Sequence, residues 1–504
     1  MKVFTSDQIR KIDAYTIEHE PVASIDLMER AALALASWFR ERFNQETEFL
    51  LLAGPGNNGG DAWALARILF HHGYENIRFY LLGKVDDISH DSKINRTRLI
   101  DETDIQINAM EEEADFPFIT GGEWVVDALF GSGLSRPLSG LAKELVQYIN
   151  DSAKTGLIAV DIPSGLFGED NTDNDTNAII KANFTLSFQF PKLAFFMSDN
   201  FEYVGYWETL SISLHEEAIK ETETTFYTLE QGKVESLVIV RPKFAHKGTF
   251  GHVLVVAGSY GMMGAAVLAT RAAVASGAGL VTAHVPRFGY EIMQSSVPES
   301  LICLDESDLI FTEVNHLERY TAIAVGPGIN TKTNTVRAMK DLIDKAEVPM
   351  VIDADGVNIL AQNKEWMNTL SENTIITPHP GEFDRLTHKH SSHHERILTQ
   401  IELSKKNKIV VVLKGAHTSI SLADGTVWFN TTGNPGMAKG GSGDVLTGII
   451  SSLLAQGYSC EDAAMLGVFI HGRAGDIALE RKGYHALTPS DMINNLGRAF
   501  KNLE

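Results

Sequence analysis

The stretch EFLLLAGPGNNGGDAWALAR (residues 48–67) joins a short apolar run, a glycine-rich turn and an amphipathic segment. That order predicts a buried strand followed directly by a helix, the unit from which parallel α/β sheets are built. Backbone amides at the start of such a helix can face an anion. The stretch has neither the Gly-Lys-Ser/Thr of a Walker loop nor GxGxxG spacing. An anion-binding loop and a tight turn are therefore both open readings.

The same alternation recurs on both sides of a polar segment, LHEEAIKETETTF (residues 214–226). Before it come IRFYLLG, WVVDALFG, GLIAVDIPSG and NFTLSFQF, and after it come GHVLVVAGS, GLVTAHV, TAIAVGPG, PMVIDADG, TIITPHPGE and KIVVVLKG. Helical spacing of apolar residues from Ser6 to Phe43 predicts helices that cover the first sheet. Asp424-Gly425 predicts a hairpin in the second half. We therefore predict two α/β domains, residues 1–220 and 225–504.

Composition excludes several classes of protein. The 504 residues include 43 Lys and Arg against 65 Asp and Glu, a formal net charge of −22. Such a chain repels nucleic-acid phosphates and anionic lipid surfaces, so we expect neither nucleic acid nor membrane as partner. Cys303 and Cys460 are too few for a disulfide framework and are interpreted as buried hydrophobes. No run reaches the roughly 18 apolar residues of a membrane span, and we expect a soluble, cytoplasmic protein.

Polar side chains end three of the predicted strands in the first domain. Asn58, Asp127, Asp161 and Ser164 would meet in one crevice, because the carboxyl ends of parallel strands lie at one edge of a sheet. Oxygen ligands suit a hard cation, and a monovalent ion is as plausible as magnesium. For each aspartate taken alone, a capping or turn role is the alternative.

NNGGD, DALFGSGL and DIPSG, in this order, resemble the YjeF amino-terminal family of NAD(P)H-hydrate epimerases over residues 1–220. The resemblance implies a Rossmann-like α/β/α sandwich and a potassium ion held by Asn58, Asp127 and Ser164. It also implies that Asp161 and a set of loop residues bind the hydrated nicotinamide nucleotide. The set is Asn57, Asn58, Gly59, Gly60, Asp61, Gly131, Ser132, Gly133, Leu134, Ser135, Arg136 and Pro137. Family members usually have a further glycine after NNGGD, where this chain has Ala62 and Trp63.

Epimerisation at carbon 6 of the nicotinamide ring needs a base, or groups that help water leave and return to the other face. Asp161 is the candidate acid or base. Lys192, within the apolar stretch FQFPKLAFF, is either a ligand contact that could share this role or a surface lysine with a buried stem.

In the second domain, GNPGMAKGGSGDVLTGIISSLL (residues 433–454) leads from small residues into an apolar helix. The amides from Gly440 to Gly443 would form an anion hole at the helix start. Asp444 would accept a proton from a substrate hydroxyl while those amides bind the transferred phosphoryl group. The alternative is that Asp444 only caps the helix.

Other strand ends carry further candidates. His379 lies between two prolines, and KGAHT (residues 414–418) directly follows a strand. Asp353 and Asp355 are interpreted equally as turn formers and as magnesium partners. HKHSSHH (residues 388–394) is interpreted as a solvent-facing stretch rather than a metal site.

HKGTFGHVLVVAGS, TPHPGE, KGAHT, GGSGD and HGRAGD resemble the ribokinase-like YjeF carboxyl-terminal family, the ADP-dependent NAD(P)H-hydrate dehydratases, over residues 225–500. The resemblance implies a ribokinase-like α/β fold and Mg²⁺ bound with ADP. It implies that Ala266, Gly328, His379 and Asp444 contact the hydrate. The residues implied for the adenine nucleotide are Lys414, Gly415, Ala416, His417, Thr418 and Gly443.

Both resemblances together predict a bifunctional enzyme of metabolite repair. It would interconvert the R- and S-hydrates of NADH and NADPH (NADHX and NADPHX) and dehydrate the S-form with ADP, giving AMP and phosphate. We also expect a homo-oligomer. The alternative is a ribokinase-like small-molecule kinase whose amino-terminal domain is a non-catalytic nucleotide-binding or interaction module.

Overall fold

Two sheets of mainly parallel strands organise the chain, which is described by a computed structural model over residues 1–20 and 22–503. The chain divides into two units. The first unit comprises Lys2–Thr224 and Ser392–His394, and the second comprises Met1, Thr225–Ser391 and the chain from Glu395 onward.

The first unit has a Rossmann-type sheet with helices on both faces. The strands of this sheet are β2 (Phe49–Ala53), β3 (Ile77–Leu82), β4 (Ile107–Met110), β5 (Trp124–Ala128), β6 (Gly156–Val160), β7 (Phe184–Phe188) and β8 (Tyr206–Leu210), and the short strand β1 (Lys2–Val3) lies outside it. Its helices are α1 (Ser6–His19), α2 (Ser24–Arg42), α3 (Asn57–His71), α4 (His90–Glu102), α5 (Leu141–Ser152), α6 (Phe201–Val204) and α7 (Glu216–Glu221). The parallel order β4-β3-β2-β5-β6-β7-β8 reverses between β2 and β5, where such sheets bind ligands. The predicted fold class is confirmed.

The sheet of the first unit has an apolar core on each face. Phe49, Leu51 and Ala53 of β2 belong to one core, and Leu50 and Leu52 belong to the other. Because successive side chains of a strand point to opposite faces, a continuous apolar run is what a doubly covered strand requires. The sequence did not predict the edge strands β4 and β8, whose polar and half-exposed residues lack such a run.

The second unit has a larger sheet. Its strands are β9 (Phe226–Leu229), β10 (His252–Val256), β11 (Leu280–Val285), β12 (Leu301–Leu304), β13 (Ala322–Val325), β14 (Met350–Ile352), β15 (Thr374–Ile376), β16 (Val410–Leu413), β17 (Ser419–Ser421) and β18 (Val427–Asn430). Its helices are α8 (Gln231–Glu235), α9 (Met263–Ala275), α10 (Tyr290–Ser296), α11 (Thr333–Lys345), α12 (Asp355–Gln362), α13 (Pro380–Leu386), α14 (His393–Asn407), α15 (Ser442–Ala455), α16 (Cys460–Ala486) and α17 (Pro489–Lys501).

The strand order of the second unit runs β9-β18-β17-β16-β15-β14-β13-β10-β11-β12. The pairs from β10 to β16 are parallel, and β16, β17 and β18 pair antiparallel around the predicted Asp424-Gly425 hairpin. The order reverses between β10 and β13, so the loops that follow these two strands frame the expected ligand crevice.

Helices α9 and α15 pack closely over this sheet and place the glycine-rich loop. A Cβ on Gly448 of α15 would overlap the carbonyl oxygen of Ala269 in α9. Only glycine therefore allows these two backbones to approach so closely. Across residues 1–20 and 22–503, no helix has the length and apolar character that a membrane span requires.

Candidate active sites

The glycine-rich loop of the first unit is shorter than the sequence suggested. Helix α3 already begins at Asn57, so the predicted loop residues Asn57 to Asp61 form its first turn. Asn57 is exposed, whereas Asn58 and Asp61 are buried. The first-turn amides have no partner within the helix itself, which suits them to bind an anion.

Packing within the protein accounts for the paired glycines of this turn. A Cβ on Gly59 would overlap the carbonyl oxygen of Gly54, and a Cβ on Gly60 would lie 2.6 Å from the sulfur of Met28. Protein atoms therefore occupy the space where a side chain at either glycine would lie.

Asp127 and Ser164 join the ends of β5 and β6. The Asp127 carboxylate is 0% exposed and accepts hydrogen bonds from Ser164 Oγ (2.6 Å), Ser164 N (2.8 Å) and Leu129 N (3.2 Å). Ser164 Oγ in turn accepts a hydrogen bond from the amide of Phe130 (2.8 Å). Burial raises the pKa of Asp127 to about 6, although these hydrogen bonds oppose the shift.

Asn58 lies against the same loop. A Cβ on Gly131 would be 3.3 Å from Asn58 Oδ1, so the loop after β5 contacts the first turn of α3. The Asn58 side-chain nitrogen is buried and has no hydrogen-bond partner among residues 1–20 and 22–503. Rotation of the Asn58 amide group exchanges its nitrogen and oxygen, so the side chain can offer an oxygen ligand at this position.

Asp161 follows β6 and forms a buried ion pair with Lys192. Lys192 Nζ lies 2.7 Å from Asp161 Oδ1, and the lysine side chain is only 2% exposed. The surface-lysine alternative is therefore wrong. Asp161 has a φ of 65°, in the left-handed region that Asp and Asn tolerate better than most residues. The amide of Ser132 is 3.4 Å from Asp161 Oδ2, which brings the loop after β5 to this carboxylate.

Two further carboxyl groups surround this ion pair. Burial raises the pKa of Asp61 well above its ordinary value, and the charges of Asp161 and Asp13 add to the shift. Burial raises the pKa of Asp13 in α1 to about 6, with Lys192 opposing the shift and Asp161 adding to it. An acid and base pair requires two titratable groups whose pKa values differ. The sequence did not predict Asp13, because only the fold brings α1 to the strand ends.

A cavity of about 440 Å³ opens beside the glycine-rich turn. Its lining includes Pro55, Lys84, Asp87, Phe130 and Ser139. Lys84 is a cation that the sequence interpretation missed, since it lies in the loop after β3 without a recognisable motif. The predicted residues Gly133, Ser135, Arg136 and Pro137 are exposed in the loop after β5, while Leu134 is partly buried. The sheet thus brings Asn58, Ser132, Asp161 and this cavity to one edge.

In the second unit, the GGSGD segment starts α15 as predicted. Gly441 is the N-cap with a φ of 100°, and Asp444 lies in the first turn. The pKa of Asp444 is raised to about 6, mainly by burial. The charges of Asp353 and Asp355 contribute to this shift, and Lys414 opposes it. A carboxylate with that pKa can accept a proton near neutral pH.

Lys414 is the centre of a polar network beside Asp444. Its Nζ lies 2.6 Å from Asp353 Oδ1 and 3.9 Å from Glu382 Oε2. A Cβ on Gly443 would be 3.3 Å from Nζ, so the lysine lies at the start of α15. Thr447 Oγ donates to Asp353 Oδ2 (2.7 Å) and ties the network to the helix. Lys414, predicted to bind the adenine nucleotide, is thus held at the Asp444 end of the crevice.

The magnesium interpretation of Asp353 is corrected by these contacts. Both carboxylate oxygens of the buried Asp353 already accept hydrogen bonds from protein donors, including the amide of Ala354 (2.8 Å). Asp355 is partly exposed, and its Oδ2 accepts a hydrogen bond from the amide of Asn330 (2.8 Å). Asp353 therefore organises the site, and Asp355 Oδ1 accepts only a long hydrogen bond from Asn358 Nδ2 (3.5 Å).

His379 caps helix α13 and is thereby held in one tautomer. Its Nδ1 accepts hydrogen bonds from the amides of Gly381 (3.0 Å) and Glu382 (3.3 Å). An accepting Nδ1 leaves the proton on Nε2 in the neutral ring. The backbone amide of His379 donates to Glu382 Oε2 (2.8 Å), which links this cap to Lys414. The ring is about half exposed, and its Nε2 lies 3.4 Å from Glu382 Oε1, so a ligand at Nε2 would share that position with Glu382.

Gly328 and Ala266 differ in what they can contact. Gly328 follows β13 with a φ of 66°, and its carbonyl oxygen accepts a hydrogen bond from Ser259 Oγ (2.7 Å) in the loop after β10. These two loops meet where the strand order reverses. Ala266 of α9 is 0% exposed and packs against Gly258. The predicted side-chain contact of Ala266 with a ligand is therefore corrected, because Ala266 supports this loop from within the core.

The KGAHT segment forms a tight turn between β16 and β17. Thr418 Oγ donates to the carbonyl of Gly415 (3.0 Å), which closes the turn. Gly415 and Ala416 are exposed, and burial lowers the pKa of His417. The exposed backbone of this turn is available to a nucleotide.

Two residues of the HGRAGD motif brace the loops around Asp444. His471 Nε2 donates to the carbonyl of Ser442 (2.9 Å), and burial lowers the pKa of His471 to about 4. Asp476 accepts hydrogen bonds from the amide of Gly433 (3.0 Å) and the side chain of Asn434 (3.0 Å). The sequence motif marked these residues, but their partners became clear only from the fold.

The histidine-rich stretch is not wholly solvent-facing. The His390 side chain is buried, and its Nδ1 lies 2.8 Å from Asp384 Oδ1. Within residues 1–20 and 22–503, no group of three or more His, Cys, Asp or Glu side chains could hold a metal ion.

Comparisons with known proteins cover both units. Residues 24–194 match a family model described as YjeF-related protein N-terminus, and residues 253–498 match one described as NAD(P)H-hydrate dehydratase. A bifunctional NAD(P)H-hydrate repair enzyme Nnr from Moorella thermoacetica is 34% identical over 527 residues, covering 100% of this chain and 97% of that protein. The protein of the same name from Thermofilum pendens is 34% identical over 516 residues, with coverage of 100% and 97%. A crystal structure of a ribokinase-like superfamily protein from Enterococcus faecalis is 26% identical, with a TM-score of 0.51, over 56% of this chain and 98% of that one.

Proposed function

Because the chain belongs to the family of bifunctional NAD(P)H-hydrate repair enzymes, we propose a reaction for each unit. The first unit interconverts the R- and S-hydrates NADHX and NADPHX, and the second dehydrates the S-form with ADP. The products of the second reaction are NADH or NADPH, AMP and phosphate. The observation that carries the proposal is Asp444, a proton acceptor in the first turn of α15 with Lys414 beside it.

In the first unit, the Asp161–Lys192 pair supplies the acid and base chemistry at carbon 6. Asp161 accepts or returns the proton, and Lys192 pairs with that carboxylate and holds it in place. The first-turn amides of α3 and the loop after β5 bind the nucleotide phosphates and orient the ring. Asp61, whose pKa is raised, can donate a proton where Asp161 accepts one.

Potassium is proposed for the Asn58, Asp127 and Ser164 group. The donors fit a monovalent cation, because they include one fully buried carboxylate, a hydroxyl, and an amide whose nitrogen has no partner among the described residues. When bound, the ion supplies a positive charge that offsets Asp127 and attracts nucleotide phosphates.

Potassium is expected to stabilise the first unit against heat. An ion at roughly ten times its Kd contributes about 1.4 kcal/mol to a folded state that alone binds it. We expect a higher melting temperature in KCl than in tetramethylammonium chloride at equal ionic strength. Asp127→Asn should lose this difference, whereas Asp101→Asn, at an exposed site on α4, should keep it. Equal responses of Asp127→Asn and wild type would contradict the assignment.

In the second unit, Asp444 takes the proton of the carbon-6 hydroxyl as that oxygen attacks the β-phosphorus of ADP. AMP leaves, and the phosphorylated hydrate loses phosphate when the ring nitrogen lone pair expels it. The amides at the start of α15 and Lys414 stabilise the charge that develops on the transferred phosphoryl group. The half-exposed His379 ring, fixed by its cap of α13, contacts the hydrate as a hydrogen-bond donor through Nε2.

Magnesium is proposed to enter as its complex with ADP. Mg²⁺ keeps several water ligands and is usually held by phosphates and one or two carboxylates. Asp353 has no free oxygen for it, whereas the partly exposed Asp355 can meet its water shell. When bound, the ion neutralises charge on the phosphates.

The dehydration reaction should lose activity below about pH 6. The raised pKa of Asp444 means that the carboxylate is ionised above about pH 6 and protonated below it, so the acidic limb of kcat/KM reports this group. Asp353→Asn should move the limb to lower pH, because it removes a neighbouring negative charge and frees Lys414 to pair with Asp444. Titration of ADP is the same in every variant, so only an enzyme group can move the limb. An unshifted limb in Asp353→Asn would exclude Asp444 as its source, and the exposed Asp341→Asn is the matched control.

The products distinguish this proposal from a small-molecule kinase. With S-NADHX and ADP, we expect absorbance at 340 nm to rise in equal proportion to AMP and phosphate. A stable phosphorylated product without reduced nucleotide would instead identify a kinase. Activity on R-NADHX in the Asp444→Asn variant tests the first unit, since an interaction module would not interconvert the isomers.

The cellular setting remains a prediction. We propose a cytoplasmic enzyme, supported by the low cysteine content. Self-association is also proposed, and sedimentation of the full chain tests it.

A further inference from the structure

Three side chains outside both sites form a hydrogen-bonded chain. His284 of β11 and Cys303 of β12 are direct neighbours in the parallel register, and Asp305 follows Cys303 by two residues. His284 Nδ1 lies 3.4 Å from Cys303 Sγ, and His284 Nε2 lies 3.1 Å from Asp305 Oδ2. A thiol, an imidazole and a carboxylate in this order are the arrangement that activates a cysteine.

Asp305 is held firmly and therefore fixes the imidazole. Its carboxylate accepts hydrogen bonds from the amides of Ser307 (2.8 Å) and Thr312 (2.7 Å) and from the Thr312 hydroxyl. Burial opposes ionisation of Asp305, but these bonds and His284 lower its pKa to about 2. Burial likewise opposes protonation of His284, yet its bonds to Asp305 and Cys303 raise its pKa. The pair thus favours an imidazolium beside Cys303, the partner that stabilises a thiolate.

Cys303 is placed where a small reagent can reach it. Strand β12 ends the strand order of the second unit, and Leu301 and Leu304 on either side of Cys303 are 52% and 43% exposed. Cys303 itself is partly exposed, which corrects its interpretation as a buried hydrophobe. The ring of Phe311 packs edge-on against His284 (5.6 Å between ring centres) and shields the ion pair from water.

Other titratable groups lie near this chain. Burial raises the pKa of Tyr320, and the charge of Cys303 adds to that shift. His252 packs against Tyr320, and burial lowers the pKa of His252. His284, whose pKa is raised, is therefore the basic group that faces Cys303.

We propose that Cys303 is an activated thiol that hydroperoxides oxidise reversibly to a sulfenic acid. The Cys303 thiolate attacks one peroxide oxygen, so the S–O bond forms as the O–O bond breaks. Sulfur loses two electrons to the peroxide, and the leaving hydroxide or alkoxide takes the proton from His284. The products are the sulfenic acid and water or an alcohol, and a thiol reductant restores Cys303.

Cys460 provides a control within the same chain. It is also partly exposed, but burial and the charge of Glu461 raise its pKa to about 11. The two cysteines therefore have similar access and opposite electrostatic surroundings. No variant is needed for the first comparison between them.

The test measures modification of both cysteines in the full chain by peptide mass spectrometry. At pH 6.5 we expect iodoacetamide to alkylate Cys303 at least about tenfold faster than Cys460, because His284 lies beside the Cys303 thiol whereas the pKa of Cys460 is raised to about 11. After brief hydrogen peroxide treatment, dimedone should label Cys303 in preference to Cys460. Cys303 reacting no faster than Cys460 with both reagents would overturn the proposal.

Variants separate activation from packing. His284→Gln should lower the Cys303 alkylation rate at least about tenfold and leave the Cys460 rate unchanged. Asp305→Asn should lower it less, because the imidazole remains. If loss of His284 only loosened the fold, Cys303 would react equally fast or faster, which would also overturn the proposal. Dehydration activity and melting temperature report whether each variant folds, and the wild-type comparison stands without them.

Discussion

Asp444→Asn is expected to lower kcat for ADP-dependent dehydration by roughly 10²- to 10⁴-fold, the contribution of a well-placed general base. The substitution keeps the shape of the side chain at the first turn of α15, so the loop and the Lys414 network should persist. Asparagine cannot accept the hydroxyl proton, and the attacking oxygen then remains a poor nucleophile. KM for ADP should change little, because the backbone amides that bind phosphate are unaltered.

The measurement is the rise in absorbance at 340 nm from S-NADHX, run together with AMP release. Asp341→Asn, an exposed carboxylate on α11, is the matched control and should behave as wild type. Epimerisation in Asp444→Asn should be unchanged, which shows that the first unit has folded, and an unchanged KM for ADP shows that the second unit has folded. Near wild-type dehydration in Asp444→Asn would remove Asp444 from its assigned role.

The sequence predicted those features that are local in the chain. β2 is a continuous apolar run, and GGSGD leads directly into α15, so both elements could be read from neighbouring residues. The sequence did not predict the edge strands β4 and β8, because half-exposed strands lack a continuous apolar run. The alternation of strands and helices predicted parallel sheets, whereas the order of the strands within each sheet came from the structure.

Partners distant in the chain could not be predicted in the same way. Asp353 pairs with Lys414, 61 residues away, and with Thr447, 94 residues away. Its sequence setting, DADG, fits a turn or a metal ligand equally, and only the fold shows that its oxygens are already used. The contact of Ala266 with the hydrate was implied by the family resemblance alone, and only the fold shows that this residue of α9 is 0% exposed.

The two sites differ in how they place a lysine among their carboxyl groups. The first neutralises Asp161 with a buried lysine, whereas the second places Lys414 among Asp353, Glu382 and Asp444. In both, one cation lies beside several carboxyl groups, so binding of phosphate to this chain of net charge −22 depends on the backbone amides at the helix starts rather than on a local excess of positive charge. The ion pair of the first site also makes its central carboxylate sensitive to loss of either partner.

Asp161→Asn is expected to lower epimerisation by roughly 10²- to 10⁴-fold while dehydration of the S-form continues. Asparagine tolerates the φ of 65° at this position, so the loop after β6 should keep its path. The substitution leaves Lys192 as a buried, unpaired cation, which should cost about 3–5 kcal/mol of stability in the first unit. Loss of activity and loss of stability must therefore be separated.

The double variant Asp161→Asn/Lys192→Met achieves this separation. Removing the unpaired charge should restore most of the melting temperature, whereas epimerisation should remain absent because no proton acceptor returns. With a mixture of R- and S-NADHX, wild type should convert the whole mixture to NADH. Both variants should stop when the S-form is consumed, apart from the slow interconversion measured without enzyme. Full conversion by the stable double variant would mean that another group carries out the proton transfer. Asp61 and Asp13 would then be the candidates.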